Sequence, residues 1–550
     1  MTEPIDPVTS ALTGKLAFHL LLAAALTFPI AWGALRLYAR AVRRSMRSQA
    51  HAFHAAPARA PDAPVNTPGG SPAAARAATL YDLAEPAVNA AGDTLLARLL
   101  GAPWRAALVY AVAGSTYGLL MAAAQLLAGG LEILPVRFLF LFWIFSWPVV
   151  PTVGIVAATT RYARVVVTAG YFLGLLTIGA VAVSISPDLT WPQILLLWMV
   201  YDLPPTILLL TFLSRRIRAV GPLILTFMLL ALIGSDVVMS VAGSHDSYIR
   251  AILNMTSTLG LGGTGTFIAL LVVGFLVFAV LGWAALIWIG RRYQAKKISD
   301  ESVTVDAIWM LFAIVHSMDL VFGHPLWTLG GLAAFAGYKT LARIGFSWLG
   351  GVKNDSQKSP ILLILRSFSI GSDSERLFDV VGRHWRRVGS IQMIAGIDLV
   401  SRTVEPHEFL DFVSGKLSRR FIDGEESLNR RMSERDTGPD RDLRFRVNEF
   451  FCYDDTWKMV LSRLVHESDA VVMDLRGFSR QNAGCVFELH ELARLVPLER
   501  VVLVTDRRTD ETLLAETLGD RRAGVFRLGS MSGSRMRQLM RAMATAATPT

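Results

Sequence analysis

Polar and aromatic side chains follow the short apolar runs in the last third of the 550-residue sequence. These side chains are Arg366, Phe368, Tyr453, Asp474 and Arg476. Short continuous apolar runs are typical of buried parallel strands. Because ligands bind beyond the carboxyl ends of such strands, the pattern predicts a ligand site at that edge of a sheet. The alternative is the ordinary polarity that strand ends show in every domain of this class.

A further carboxylate lies in the stretch SDAVVMDLRGFSRQNAGCVFELHEL, residues 468–492. The stretch predicts a buried strand, a polar loop and then a helix that carries Glu488. Taken alone, Glu488 is either part of a site beside the loop or a surface residue close to His490 and Glu491. For Cys485, packing of a small side chain is favoured over nucleophilic catalysis.

Ionisable residues also occur inside long apolar segments, where a charge is costly. They are Asp202, Asp236, His316 and Asp319. Asp202 is the most informative of them, because Pro204 and Pro205 follow it and proline leaves backbone carbonyls without partners. One interpretation is an ion, proton or ligand site within a helix bundle. The other is a set of hydrogen bonds between helices.

The composition indicates a membrane part followed by a soluble part. Hydrophobic residues make up 53% of the chain and are concentrated between residues 105 and 350. The net charge of +10 does not require nucleic acid, since many of the basic residues flank apolar segments. With two cysteines, Cys452 and Cys485, the chain has no disulfide framework, which favours a reducing compartment.

The apolar segments predict about nine transmembrane helices, each of about 20 residues. One precedes a basic flank within residues 1–47, and residues 48–104 are rich in Ala and Pro and predict a flexible linker. The polytopic region covers residues 105–350, and its last two helices form a hairpin over 307–346. The expected segments are 16–37, 105–128, 138–159, 165–185, 192–213, 219–242, 265–290 and the two halves of 307–346.

Basic residues lie at alternate ends of these segments, as at Arg218 and Arg292, whereas acidic residues such as Asp188 and Asp246 lie at the others. The positive-inside rule then predicts that the N-terminus is outside and the region after Gly351 is cytoplasmic. The preference for Arg over Lys and the abundance of Ala favour a bacterial origin, and hence the inner membrane.

Residues 352–550 alternate strands and helices, which predicts a cytosolic α/β domain with a five-stranded parallel sheet. The charged stretch from Phe421 to Arg446 interrupts the pattern and predicts an exposed insertion.

This domain resembles TIR (Toll/interleukin-1 receptor) domains, in which a serine-containing loop leads to a helix of the form W-C-x-x-E-L. The sequence Gly484-Cys485-Val486-Phe487-Glu488-Leu489 occupies that place with the order of Cys and aromatic altered. It is also similar to nucleoside 2-deoxyribosyltransferases, whose D-x-G-T-x-x-E segment matches the spacing of Gly484 and Glu488. The likeness covers about residues 359–546 and implies a flavodoxin-like sheet.

Both resemblances imply chemistry at a ribosyl carbon, with Glu488 as the catalytic carboxylate. NAD or another nucleotide is the implied substrate or ligand. Arg366 would then hold a phosphate, Asp474 or Tyr453 a ribose hydroxyl, and Phe368 or Trp457 a base, with Arg476 beside them. No resident metal is expected.

The sequence thus favours a membrane-anchored bacterial signalling or effector protein, expected to be a homo-oligomer in contact with lipid, whose cytosolic domain either cleaves NAD or acts by interaction alone. A different class stays open. The chain could be a transporter or channel in which the α/β domain senses a nucleotide, with the ionisable residues of the spans as its support.

Overall fold

The computed structural model describes residues 7–53, 79–83, 90–158, 161–186, 188–320, 324–351, 359–366, 372–395, 404–453, 456–529 and 532–548. The chain divides into two units. The helical unit comprises residues 1–37, 107–349 and 404–413. The sheet unit comprises residues 38–106, 350–403 and 414–550.

Among the described residues, thirteen α-helices precede the main run of strands. They are α1 Pro7–Phe53, α2 Ala90–Ala128, α3 Pro135–Ser146, α4 Val149–Ala157, α5 Arg161–Ile185, α6 Trp191–Tyr201, α7 Leu203–Phe212, α8 Arg215–Arg218, α9 Gly221–Gly243, α10 Asp246–Thr258, α11 Gly263–Gln294, α12 Asp300–Leu320 and α13 Leu329–Gly351.

Among the described residues, seven helical segments are long and apolar enough to cross a membrane, and the bent pair α6–α7 makes an eighth if it counts as one span. The membrane-protein class is therefore supported, but nine spans were expected. The difference lies in α13, whose glycines together with Lys339 and Arg343 lower its mean hydropathy.

Small residues bring the helices of this unit close together. A side chain on Gly274 of α11 would place its Cβ 2.9 Å from the Cα of Ser235 on α9. The Ser235 hydroxyl donates to the carbonyl of Leu271, 3.2 Å away across the same contact. Close backbone approach of this kind replaces the hydrophobic driving force that is weak between helices in lipid.

The strands are β1 Thr79–Asp82, β2 Ile361–Arg366, β3 Ser390–Ala395, β4 Phe421–Ile422, β5 Val447–Cys452, β6 Ala470–Asp474, β7 Val501–Thr505 and β8 Arg522–Arg527. The remaining helices are α14 Ser372–Trp385, α15 Pro406–Val413, α16 Glu425–Ser433, α17 Trp457–Glu467, α18 Ala483–Leu495, α19 Glu511–Leu518 and α20 Gly533–Ala547.

The eight strands form one parallel sheet in the order β1-β8-β7-β6-β2-β3-β5-β4. The predicted α/β class with a parallel sheet is confirmed, but five strands were too few. From β2 the chain proceeds outward through β3 to β5, then returns to β6 beside β2 and proceeds through β7 to β8. These six strands lie in the order 3-2-1-4-5-6, which is the dinucleotide-binding order, and not the flavodoxin-like 2-1-3-4-5.

Both faces of the sheet are covered. One face packs Leu363, Met473 and Leu503 against α16 to α19. The other packs Leu362, Val472 and Val504 against α14 and α20. This double burial explains why the strands read as continuous apolar runs.

The predicted linker 48–104 is wrong for its described residues. Residues 79–82 form the edge strand β1, paired with β8, and the start of α2 places Leu95 and Leu99 in the core beneath the second sheet face. Residues 54–78 and 84–89 of that interval lie outside the described residues. Buried leucines at helical spacing, rather than the Ala/Pro composition, decide the structure of this segment.

The predicted exposed insertion from Phe421 to Arg446 is also wrong. It contains β4 and α16, and the charged residues Asp440, Asp442, Arg444 and Arg446 at its end are buried. Arg446 donates to both carboxylate oxygens of Asp440 at 3.2 and 2.7 Å, and to Asp436 at 2.8 Å. A charged sequence can be buried when the charges pair in this way.

Residues 404–413 belong to the helical unit although they lie between two strands in sequence. The Tyr293 hydroxyl of α11 donates to Glu405 at 2.8 Å, and its ring stacks on His407. Leu410 of α15 fills the space that Gly290 leaves open. This segment, which lies within the predicted cytosolic domain 352–550, thus has its contacts in the helical unit.

Candidate functional site

The strand order reverses between β2 and β6, and this is where ligands bind in doubly wound sheets. The register places Arg366 at the end of β2 directly opposite Asp474 at the end of β6. Neighbouring strands are about 4.8 Å apart, so the two backbones are adjacent at the carboxyl edge of the sheet. The structure therefore brings together two of the residues predicted from the sequence.

Asp474 and Arg476 form a two-pronged ion pair. The Nε and Nη2 atoms of Arg476 lie 2.8 and 2.7 Å from the two oxygens of the Asp474 carboxylate. The Arg476 backbone N–H also donates to Asp474, at 3.2 Å. Both side chains are nearly buried, with 6% of Asp474 and 10% of Arg476 exposed. The planar guanidinium is thus fixed in direction just beyond β6.

The loop after β6 is held by its neighbour after β7. The Asp506 carboxylate accepts from the backbone N–H of Gly477 and of Arg508, each at 3.0 Å. The Thr509 hydroxyl donates to the carbonyl of Leu475 at 2.9 Å. Gly477 has a φ of +71°, a conformation that strains other residues. Asp506 therefore fixes the loop, and the sequence did not reveal this role or that of Thr509.

Glu488 lies in the second turn of α18 and is buried, with only 4% of its surface exposed. On the same helix, Cys485 and Leu489 are fully buried in the core. The alternative that Glu488 is a surface residue is wrong. Burial of a carboxylate is costly, so Glu488 occupies a position where an apolar side chain would be the inexpensive choice.

Tyr453 follows β5, which is separated from β6 by β3 and β2. Three strand spacings amount to about 14 Å, too far for direct contact with Asp474. The Tyr453 ring stacks on Phe421 at 5.2 Å between centroids. Of the two alternatives for a ribose contact, Asp474 lies at the point where the strand order reverses and Tyr453 does not.

Of the predicted residues, Arg366 can be placed only in part and Phe368 cannot be placed. Arg366 is described as the last residue of β2, without its side chain, and Phe368 lies outside the described residues. Trp457, the second aromatic considered for base stacking, packs edge-on against Phe487 at 5.3 Å. Trp457 is therefore engaged by α18 rather than presented as an open stacking surface.

The cysteines are buried, as packing residues are. Cys485 has no exposed surface, and burial raises the pKa of the Cys452 thiol above its usual range. A raised pKa keeps the sulfur protonated and poorly nucleophilic. Within the described part of the chain, no group of three or more His, Cys, Asp or Glu side chains could hold a metal ion.

Two of the ionisable residues expected inside the spans, Asp236 and His316, have side-chain partners. His19 Nδ1 lies 2.8 Å from Asp236, and the Tyr117 hydroxyl lies 2.9 Å from His316 Nδ1. For these residues, hydrogen bonding between helices is the reading that the structure supports. The side chain of Asp319 lies outside the described residues.

Asp202 stands at the break between α6 and α7, where the two helices meet at a bend of 56°. Pro204 and Pro205 begin α7, and the hydroxyls of Tyr171 and Thr206 lie 2.8 Å apart beside it. Residues 192–213, which were expected as one span, are therefore divided at Asp202 into two helices.

No family model matches the chain, no curated protein matches its sequence, and no solved structure matches its fold. The likeness of residues 484–489 to TIR domains and deoxyribosyltransferases is therefore carried by the sequence pattern alone.

Proposed function

We propose that this is a membrane-anchored signalling or effector protein whose sheet unit binds NAD at the carboxyl ends of β2 and β6. The observation that carries the proposal is the reversal of strand order at that point, with Asp474 and Arg476 fixed beside it. The order 3-2-1-4-5-6 is the one that binds dinucleotides across this crevice.

Two features of the crevice supply positive charge for a pyrophosphate. Arg366 ends β2, and α14 begins six residues later at Ser372, so the helix N-terminus follows the same strand end. Backbone N–H groups and the helix dipole favour an anion there. The sequence between Arg366 and Ser372 has one glycine, Gly371, and lacks the G-x-G-x-x-G fingerprint, so the phosphate contacts would depend more on arginine.

Cleavage of the bound nucleotide is the activity that Glu488 would supply. The C–N bond between ribose and nicotinamide breaks, and its electron pair leaves with the nicotinamide nitrogen. A carboxylate beside the ribose stabilises the oxocarbenium-like carbon, and water then adds its oxygen there and releases a proton. The burial of Glu488 supports this role, because a buried carboxylate is retained at a cost in stability.

The experiment uses the full chain in detergent at high protein concentration and follows release of nicotinamide from NAD. Glu488→Gln should lower the rate of nicotinamide release at least about 100-fold, which is the order that a positioned catalytic carboxylate contributes. Glu491→Gln is the matched control, because Glu491 lies on the same helix and pairs with the exposed Arg494. Equal rates in the two variants would refute catalysis by Glu488.

A second function is favoured by the helix break at Asp202. Broken helices with an acid at the break form ion and substrate sites in many transporters. In that case the sheet unit would bind NAD to regulate transport. Its support is the 56° bend, together with proline at the start of α7.

The proposed arrangement places the N-terminus outside and the sheet unit in the cytoplasm of a bacterium, with the protein assembled as a homo-oligomer in the inner membrane. Its support is the alternation of basic and acidic segment ends. Fusion of a reporter active only in the cytoplasm to the C-terminus tests the orientation. An inactive, fully translated fusion would reverse it.

A further inference from the structure

A cavity of about 480 Å³ lies within the helical unit, between α9, α11, α12 and α13. Its volume falls within the range of small-molecule and lipid sites. The walls are mostly apolar, with side chains such as Leu229, Ile233, Ile314 and Phe335. The described residues that line it all belong to the helical unit.

One end of the cavity is cationic. Among the described residues that line it, the basic side chains are Arg292, Lys297, Lys339 and Arg343, against a single carboxylate, Asp306. Lys339 is ion-paired with Asp306. Three cations therefore remain in excess, and two of them, Lys297 and Arg343, are exposed.

The polarity of the cavity changes along its length. Arg343 and Phe335 are eight residues apart on α13, and Asp306 and Ile314 are eight apart on α12. Eight residues of helix cover about 12 Å, so the charged end is separated from the apolar end by about two helical turns. Arg292 lies in the last turn of α11 and Lys297 follows that helix, whereas Lys339 and Arg343 lie in the middle of α13.

The rim gives lateral access. Trp288 lines the cavity and is 57% exposed, and the Arg292 guanidinium lies 4.7 Å from the centre of its ring. An indole beside a guanidinium at the end of an apolar helix is typical of the membrane interface. A ligand could thus enter from the side, with its polar end at the level of Arg292.

We propose that this cavity binds an anionic phospholipid, with the phosphate headgroup between Lys297, Arg343 and Arg292 and an acyl chain along α9 and α12. The argument is charge complementarity at one end and apolar complementarity over the next two turns. Basic recesses between membrane helices select anionic headgroups over zwitterionic ones by this physical means.

The test is native mass spectrometry of the full, delipidated chain in detergent with added palmitoyl-oleoyl phosphatidylglycerol or phosphatidylcholine. The wild type should retain the anionic lipid in preference. The variant Lys297→Gln/Arg343→Gln should bind it about 30-fold more weakly, since each cation contributes about fivefold. Both side chains are exposed, so the variant keeps its fold.

Arg250→Gln/Arg291→Gln is the matched control, because it removes the same charge from exposed residues outside the cavity lining. It should retain the preference for phosphatidylglycerol. Ala307→Phe narrows the apolar wall without changing charge and should reduce retention of both lipids. Equal retention of the two lipids by the wild type, or an unchanged preference in the Lys297/Arg343 variant, would overturn the proposal.

The two sources of a phosphate group are separated by adding inorganic phosphate. The lipid site predicts that inorganic phosphate at equal concentration does not displace phosphatidylglycerol, because it cannot occupy the apolar wall. Displacement, or full retention of the lipid by Ala307→Phe, would show a site for a free anion instead.

Discussion

Arg476 binds the carboxylate of Asp474 through two side-chain hydrogen bonds of 2.8 and 2.7 Å, although one residue separates them in sequence. The pair stands at the end of β6, beside the end of β2. It fixes a guanidinium and a carboxylate in known directions at the point where the order of strands reverses. The proposed nucleotide site depends on that relationship.

Arg476→Met should destabilise the sheet unit by about 3–5 kcal/mol, because it leaves the nearly buried Asp474 charge without this partner. Asp474→Asn in the same chain should recover part of the loss. Thermal unfolding in detergent measures both. Arg480→Met is the control, because Arg480 and its partner Glu516 are both mostly exposed. This substitution should change the unfolding temperature little. A similar loss of stability in Arg476→Met and Arg480→Met would show that the ion pair of Arg476 with Asp474 contributes no more than an exposed pair.

Leu99→Ala should destabilise the sheet unit, although Leu99 precedes the main run of strands by more than 250 residues. Its side chain is fully buried in the core beneath β2 and β8, so truncation should cost about 2–5 kcal/mol. Hydrogen exchange of β2 and β8 in the full chain should then accelerate. Leu108→Ala, on the exposed side of the same helix, should leave the exchange of both strands unchanged.

The burial of Leu99 against the sheet predicts that residues 352–550 alone are less stable than the same residues in the full chain. That fragment would lack β1, which pairs with β8, and the cover that Leu95 and Leu99 provide. We expect the purified fragment to aggregate or to unfold at a lower temperature than the same strands in the full chain. A fragment as stable as the full chain would show that these contacts add no free energy.

His384 should make the stability of the sheet unit depend on pH. Burial lowers the pKa of His384, with Arg383 adding to the effect, while the hydrogen bond that Nδ1 donates to Val380 at 3.0 Å opposes it. Between the lowered pKa and the ordinary value near 6.5, the unfolded chain binds a proton that the folded chain does not. The free energy of unfolding therefore falls as the pH drops below about 6.5, and the loss is complete below the folded pKa.

Hydrogen exchange of β3 and β5, corrected for intrinsic exchange rates, is measured between pH 7.5 and 5. This is roughly the range in which histidine titrates. His384→Gln should flatten the slope, because the group that takes up the proton is gone. His466→Gln is the control, since His466 is exposed whereas His384 is buried. An identical slope in wild type and His384→Gln would assign the dependence to other groups.

Asp202→Asn separates the two proposed functions. If the helix break at Asp202 forms a transport site, the substitution should abolish solute or proton flux in vesicles, because the amide cannot carry the charge. A signalling protein should keep its nucleotide binding and turnover. Asp188→Asn is a suitable control, as Asp188 lies outside the helices. Normal flux in Asp202→Asn, in a protein that transports, would remove the support for the alternative.

The apolar runs after residue 359 allowed a parallel sheet to be predicted from sequence, since burial of strands on both faces leaves a continuous apolar signal. Their order could not be inferred, because pairing of β5 with β3 depends on where the intervening segment 421–446 packs. Its charges suggested exposure, whereas Arg446 and Asp440 neutralise each other inside the fold. Composition cannot distinguish paired charges from solvated ones.

The sequence predicted part of the geometry at the candidate site. Arg366 and Asp474 were selected because each follows an apolar run, and parallel pairing does place them side by side. Tyr453 was selected by the same rule but follows β5, the second strand from β2 and the third from β6. The order of strands in the sequence does not give their order in the sheet. The strand β1 escaped notice because four residues, TLYD, carry too little periodicity between an Ala/Pro-rich segment and a helix.

The central claim is binding of NAD at the ends of β2 and β6, and equilibrium dialysis of labelled NAD against the full chain in detergent tests it most directly. We expect saturable binding that Asp474→Asn/Arg476→Met removes and Arg480→Met retains, with all three proteins folded by circular dichroism. Absence of saturable binding to the wild type at millimolar NAD, or undiminished binding by the Asp474/Arg476 variant, would contradict the account.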